Sequence, residues 1–218
     1  MRAAIYWAPK QNDSLWSLGS RWLGRDAATG ATLKQPDVLN IVELTSTARL
    51  YGFHCTLRSP MRLATSLDEF CATAEHIAQA TRPFTLPPLE PRDFGGFLAL
   101  GLTAPCPEMR ALADLCVRET DRHRAPLAPA EAARRRAPGL SRRQEAMLRR
   151  WGYPYVMDDW FFHTTLTRRL NSVERDAVVP RVERHFGAAL MIPRLVEEIC
   201  VFTQNEGEFL VAGRFALS

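Results

Sequence analysis

With 218 residues the chain has ample material for one large domain or two small lobes. Its 46% hydrophobic and 24% charged residues are ordinary for a soluble globular protein, and no apolar run is long enough to span a bilayer, so no membrane association is expected. Five cysteines, an odd number without any Cys-x-x-Cys, fit reduced thiols rather than a disulfide framework and leave a structural zinc site without support. The 28 basic residues against 24 acidic ones are almost all Arg, whose forked guanidinium matches phosphate oxygens.

Residues 2–8 read as a buried strand ended by Pro9, and the short start lacks the long apolar core of a signal peptide, so a cytoplasmic protein is expected. Asn12, Asp13 and Ser14 are N-cap candidates for a helix carrying Leu15, Trp16, Leu18, Trp22 and Leu23, stopped near Gly24. Residues 26–35 are loop-like, and Val38–Leu44 fits either a short strand or a packed turn. A strand then ends near Pro60, and the capping box Ser66–Glu69 opens a helix on Leu67, Phe70, Cys71, Ala74, Ile77 and Ala78.

Phe84–Leu89 and Phe97–Thr103 read as strands joined by a turn around residues 93–96, followed by a helix from about Pro107 to Arg122. Residues 123–140, rich in Arg, Ala and Pro, read as an exposed connector with partial helix. Ser141–Gln144 is a second capping box, for a helix ending at Gly152. After a further strand, Asn171 or Ser172 caps a helix on Val173, Val178, Val179, Val182, Phe186 and Leu190. Leu195–Thr203 and Glu208–Leu217 then form a hairpin.

Two stretches in this order are near twins: Tyr51-Gly52-Phe53-His54-Cys55-Thr56-Leu57 and Trp160-Phe161-Phe162-His163-Thr164-Thr165-Leu166. On a strand, side chains alternate between faces, so His54 shares one with Thr56 and His163 shares one with Thr165. Phe53, Cys55 and Leu57, like Phe162, Thr164 and Leu166, point the other way. Each copy anchors itself by its apolar side and presents an imidazole beside a hydroxyl. The next position on the imidazole face is Arg58 in one copy, a candidate phosphate clamp, and Thr167 in the other.

A capped helix and a pair of strands follow both copies. The expected fold is therefore α+β and bilobal: one domain over residues 1–218, with two pseudo-symmetric antiparallel sheets, helices on the outer faces and a central groove. Across such a groove one neutral imidazole removes a proton while a protonated one supplies a proton, and the Thr hydroxyls donate to the phosphate oxygens. No metal or other cofactor is then required.

The paired tetrads His54-Cys55-Thr56-Leu57 and His163-Thr164-Thr165-Leu166 resemble those of the two-histidine (2H) phosphoesterase superfamily. The flanks Arg49–His54 and Trp151–Val156 are similar to a bacterial branch associated with phosphonate-metabolism operons. The resemblance, which takes in the strand bearing Tyr6 as well, implies both His and both Thr in one groove. It also implies hydrolysis of a small cyclic phosphodiester. Cys55 and Arg58 stand where that branch commonly has Ala and Lys.

Tyr6 and Tyr155 are candidates to stack on the substrate. Two other readings are weighed: an RNA-end-processing or ligase-like enzyme using the arginines of residues 123–150, and a phosphoester-binding module without turnover. Oligomeric state is left open. His76, His123 and His185 are expected as surface or capping residues.

Overall fold

The elements form where their caps and breakers put them. In the computed structural model, which describes residues 1–218, strand β1 (Arg2–Trp7) leads to helix α1 (Ser14–Leu23). The Asp13 carboxylate accepts the Leu15 N–H at the start of α1, and Gly24 closes it in the left-handed region. The segment left open between 38 and 44 becomes two short helices, α2 (Ile41–Leu44) and α3 (Ser46–Arg49). Strand β2 (Cys55–Arg62) precedes α4 (Leu67–Gln79), whose capping box between Ser66 and Glu69 is made in both directions.

The expected strand Phe84–Leu89 is in fact the start of two, β3 (Phe84–Leu86) and β4 (Leu89–Asp93), because Pro87 and Pro88 offer no N–H to a ladder. Strand β5 (Phe97–Leu102) and helix α5 (Pro107–Thr120) follow. The connector holds α6 (Pro129–Arg136), and α7 (Arg142–Trp151) opens on its Ser141–Gln144 box. Then come β6 (Thr164–Arg169), α8 (Ser172–Phe186) capped by Asn171, β7 (Arg194–Val196), β8 (Glu198–Gln204) and β9 (Leu210–Ala216). The expected strand Leu195–Thr203 is thus also split. The two severed pieces, β3 and β7, pair with each other as a small separate sheet.

The fold is α+β. All ladders are antiparallel, and the large sheet has the order β4-β5-β6-β2-β1-β8-β9. Where two pseudo-symmetric sheets were expected, one continuous sheet runs through both lobes, β4-β5-β6 and β2-β1-β8-β9, which are joined at β6–β2 by one residue pair, Cys55 with Thr164. The lobes are not the two halves of the chain. The hairpin β4–β5 follows α4 yet sits beside β6, and β8–β9 follows α8 yet sits beside β1. Helices α4 and α5 pack on the β2-containing lobe, α1 and α8 on the other.

Strand β1 shows which face is sealed. Ala3, Ile5 and Trp7 join the helices in a cluster of 36 buried residues, whereas Ala4, Tyr6 and Ala8 belong to a cluster of only 8. The second face is left partly open, and the groove lies there. No helix is long and apolar enough to cross a membrane.

Gly19 on α1 lets Phe53 lie flat against the helix, since a Cβ there would meet the Phe53 ring at 2.2 Å. Ala is the better helix former by about 1 kcal/mol, but overpacking a buried ring costs about 1–3 kcal/mol. Gly19→Ala is therefore expected to lower the urea midpoint at unchanged slope, and a raised midpoint would contradict this packing.

Candidate active site

The two tetrads meet at the junction of the lobes. Strands β2 and β6 begin at Cys55 and Thr164, so each histidine sits one residue ahead of its strand. The alternation of burial holds: His54, Thr56, His163 and Thr165 are half-buried, while Phe53, Cys55, Leu57, Phe162, Thr164 and Leu166 are buried. His54, Thr56 and Thr165 line the groove, and His163 stands outside its lining, beside Phe94, Phe97 and Phe161. The bridging pair, Cys55 and Thr164, is the middle residue of each His-x-Thr. Antiparallel register then sets His54 opposite Thr165 and Thr56 opposite His163. A pseudo-twofold axis passes between Cys55 and Thr164, and by this register the two imidazoles are diagonal neighbours. Two tryptophans fasten the arrangement: the Trp160 indole N–H donates to the Thr56 carbonyl at 2.8 Å, and that of Trp22 to the Leu166 carbonyl at 3.1 Å.

Both rings are oriented by the same device. His54 Nδ1 lies 2.9 Å from the Gly52 carbonyl and His163 Nδ1 lies 3.1 Å from that of Phe161, each two residues upstream. A carbonyl only accepts, so the neutral ring carries its proton on Nδ1 and leaves Nε2 for chemistry. In the first copy Thr56 Oγ1 is 3.1 Å from that Nε2 and donates to it. His163 makes no such bond to Thr165. Gly52 has φ 78°, and a Cβ there would meet the Ala27 Cβ at 2.5 Å, so only glycine places this carbonyl.

The ring surroundings differ. His54 stacks on Tyr6 with centroids 3.7 Å apart. His163 sits among Phe94, Phe97 and Phe161. Burial pushes His54 down to about 4, with the Gly52 carbonyl opposing and His163 adding a smaller downward push. Burial also lowers His163, against the Phe161 carbonyl. The thiol of Cys55, wholly buried, is pushed up to about 12 and is no nucleophile.

The groove in front of His54, Thr56 and Thr165 has a volume of about 400 Å³. Tyr6 and Tyr155 both line it, as expected for substrate-stacking candidates, but Tyr6 is 0% exposed and its ring is occupied by His54. Tyr51 and Tyr153 line it too, so all four tyrosines of the chain do. Those two were missed as ligand contacts, although both stand in the flanks of the twin motifs.

Arg58 and Thr167 are corrections. The ladder of β1 with β2 slips between Ile5 and Tyr6, putting Leu57 and Arg58 together on the helix side and Ser59 in the groove. Arg58 is 1% exposed, bonded to Asp121 at 3.3 Å and to the Trp151 carbonyl at 3.2 Å, and clamps no phosphate. Thr167 is likewise 1% exposed. A slip between Phe97 and Ala99 leaves the Leu98 N–H without a ladder partner, and Thr167 Oγ1 accepts it at 3.0 Å.

His123 is also not at the surface. It is 3% exposed, bracketed by the Thr65 and Thr73 hydroxyls at 2.7 and 2.8 Å. The arginines of 123–150 mostly face carboxylates: Arg135 on Glu131, Arg136 and Arg149 on Glu145, Arg143 on Asp159, Arg150 on Asp121.

A sequence profile described as "Protein of unknown function (DUF1045)" matches residues 56–210, most of the chain and both Thr of the paired motifs. The chain belongs to this family. Two curated relatives are both called "Ribose 1,5-bisphosphate phosphokinase PhnN". The one from Janthinobacterium sp. (strain Marseille) is 37% identical over 92% of the chain and 47% of that protein. The one from Laribacter hongkongensis (strain HLHK9) is 35% identical over 94% of the chain and 49% of that protein. The chain thus spans about half the length of these relatives.

Solved structures similar over the whole chain include E. coli LigT complexed with 3'-AMP, at 13% identity and TM-score 0.47, covering 98% of that chain. Another is a phosphoesterase at 14% identity and TM-score 0.45, also covered over 98%. The resemblance to the two-histidine phosphoesterases rests on the tetrads and on the cleft that unites them.

The depressed histidine has a consequence for stability. From pH 6.5 down to about 4 the unfolded chain takes up a proton that folded His54 refuses, so stability falls with pH across that window. The loss of melting temperature over this range is expected to be smaller in His54→Gln than in the native protein. Equal losses would contradict the buried, neutral imidazole.

Proposed function

We propose that the chain is a phosphodiesterase that opens a small cyclic phosphodiester of ribose, using His54 and His163 as its acid–base pair and no metal in the step. The observation that supports this reading is the Cys55–Thr164 bridge, whose antiparallel pairing joins the two His-x-Thr motifs at their middle residues, so that in this reading the imidazoles are diagonal neighbours with a hydroxyl opposite each. Diagonal neighbours on a ladder lie on the order of 7–8 Å apart, a spacing at which two imidazoles can address one phosphate.

In the step, a neutral imidazole takes a proton from water as its oxygen bonds to phosphorus. The bond from phosphorus to one ring oxygen breaks, and the imidazolium protonates that oxygen, leaving a phosphomonoester and a free hydroxyl. Thr56 and Thr165 donate to the non-bridging oxygens, where charge gathers. His54 is assigned as base: burial depresses its pKa to about 4, and its Nε2 lone pair already faces a hydroxyl donor. His163, ringed by Phe94, Phe97 and Phe161, is assigned as acid, since aromatic faces favour a cation and a bound phosphate anion raises its pKa.

The ribose reading draws on the relatives. Opening a ribose 1,2-cyclic phosphate at O2 leaves a monoester on C1, the kind of ester that ribose 1,5-bisphosphate in their name contains. The kinase of that name is not proposed here: a P-loop kinase cradles phosphate with a Gly-x-x-x-x-Gly-Lys run, and this chain has two lysines, Lys10 and Lys34, neither in such a run.

On a panel of ribose 1,2-cyclic and nucleoside 2',3'-cyclic phosphates, His54→Ala or His163→Ala is expected to lower kcat by roughly two to four orders of magnitude. EDTA is expected to leave the rate unchanged. Full activity in both variants, or a rate abolished by chelation, would overturn the assignment. Because both imidazoles titrate low in the free protein, kcat/KM is expected to be bell-shaped with its acid limb near His54's value of about 4 and its maximum below pH 6.5. A maximum on the alkaline side of neutrality would exclude His54 as base.

A further inference from the structure

Past the two tetrads the groove continues along β1 and β2 beneath α6, and its charge there is one-sided. Its lining contains Arg2, Arg134 and Arg135 but no Asp or Glu. Arg135 is neutralised by Glu131 at 2.6 Å and lies over the Tyr153 ring. The other two face no carboxylate: Arg2 donates to the Gln204 side-chain oxygen at 2.9 Å, and Arg134, exposed on the groove wall, has no hydrogen-bond or ion-pair partner. This contrasts with the paired arginines of α7.

A second observation points the same way. The slip in β2 that withdraws Arg58 turns Ser59 into the groove. Ser59 is 6% exposed, yet its hydroxyl has no partner in the protein. Arg2 is four residues from Tyr6 on the same face of β1, about 13 Å along the strand, and Tyr6 carries His54 on its ring. The Arg2 guanidinium lies over the Phe209 ring at 5.5 Å, and Phe209 in turn packs against Tyr6 at 6.4 Å, so the gap from guanidinium to His54 is on the order of one sugar's span.

We propose that Arg2, Ser59 and Arg134 form a second anion subsite, so that the substrate carries a phosphomonoester on the sugar that bears its cyclic diester. This rests on the phosphodiesterase reading and narrows its substrate class. The cyclic phosphate lies between His54 and His163, and the monoester is held at the α6 end, where guanidinium forks and a hydroxyl match its oxygens. Either a sugar phosphate or a nucleotide 5'-phosphate presents this chemistry.

The test is KM and kcat for two substrate pairs: ribose 1,2-cyclic phosphate with and without a 5-phosphate, and adenosine 2',3'-cyclic phosphate with and without a 5'-phosphate. Two charge-assisted hydrogen bonds correspond to a KM lower by about tenfold or more for the phosphorylated member. A preference in the ribose pair alone identifies a sugar phosphate, and one in the adenosine pair alone a nucleotide. In Arg134→Gln the ratio between the members is expected to collapse toward one. Equal KM values within both pairs would overturn the subsite and leave the phosphodiesterase reading standing. If none of the four substrates turns over, that reading fails, and calorimetry with ribose 5-phosphate decides the subsite. Binding weakened about tenfold by Arg134→Gln supports it; absent or unchanged binding overturns it.

Discussion

A single backbone bridge, between Cys55 and Thr164, is the constraint on which the site depends. It is the one place where the two lobes of the large sheet share a ladder, and it falls on the middle residue of both His-x-Thr motifs. Because side chains alternate along a strand, pinning those two residues face down forces both imidazoles and both hydroxyls face up. A slip of one residue at this bridge would break the diagonal of the rings and set unlike faces against each other. The buried Phe53, Leu57, Phe162 and Leu166 resist that slip by holding the underside of each strand in the helix-covered core.

The twofold character ends one or two residues beyond the tetrads, and local backbone irregularity ends it. The slip in β2 sends Arg58 into the core beside Asp121 and brings Ser59 up, while the slip between β5 and β6 turns Thr167 into a partner for the Leu98 N–H. Slips of this kind re-aim side chains at functional sites. Here they make one end of the groove differ from the other, as an unsymmetrical substrate requires. The buried Arg58 is held by Asp121 and a backbone carbonyl, so its charge serves the junction of β2 with the end of α5.

Electrostatics completes the asymmetry. Burial lowers both imidazoles, so in the proposed mechanism a bound anion is what restores a proton to one of them. Tyr6 supports one ring and the phenylalanines surround the other, giving nearly identical sequence motifs different surroundings. The carbonyl clamps on Nδ1 are the same in both, which fixes the tautomer each role needs.

Much of this was legible in the chain itself. Caps and breakers set the helix ends at Asp13, Ser66, Ser141 and Asn171, because capping is a local bond between near neighbours. Alternation within seven residues gave the two faces of each His motif, because a strand's period is local too. Tertiary structure decided what lies beyond a few residues: that the hairpins exchange lobes, that Pro87-Pro88 diverts β3 to β7, and that Arg58, Thr167 and His123 are buried. It also gathered all four tyrosines into the lining of one groove. Register across a ladder and the position of a bulge are set by which distant strand arrives as partner. A pattern read along one chain carries the first kind of information and not the second.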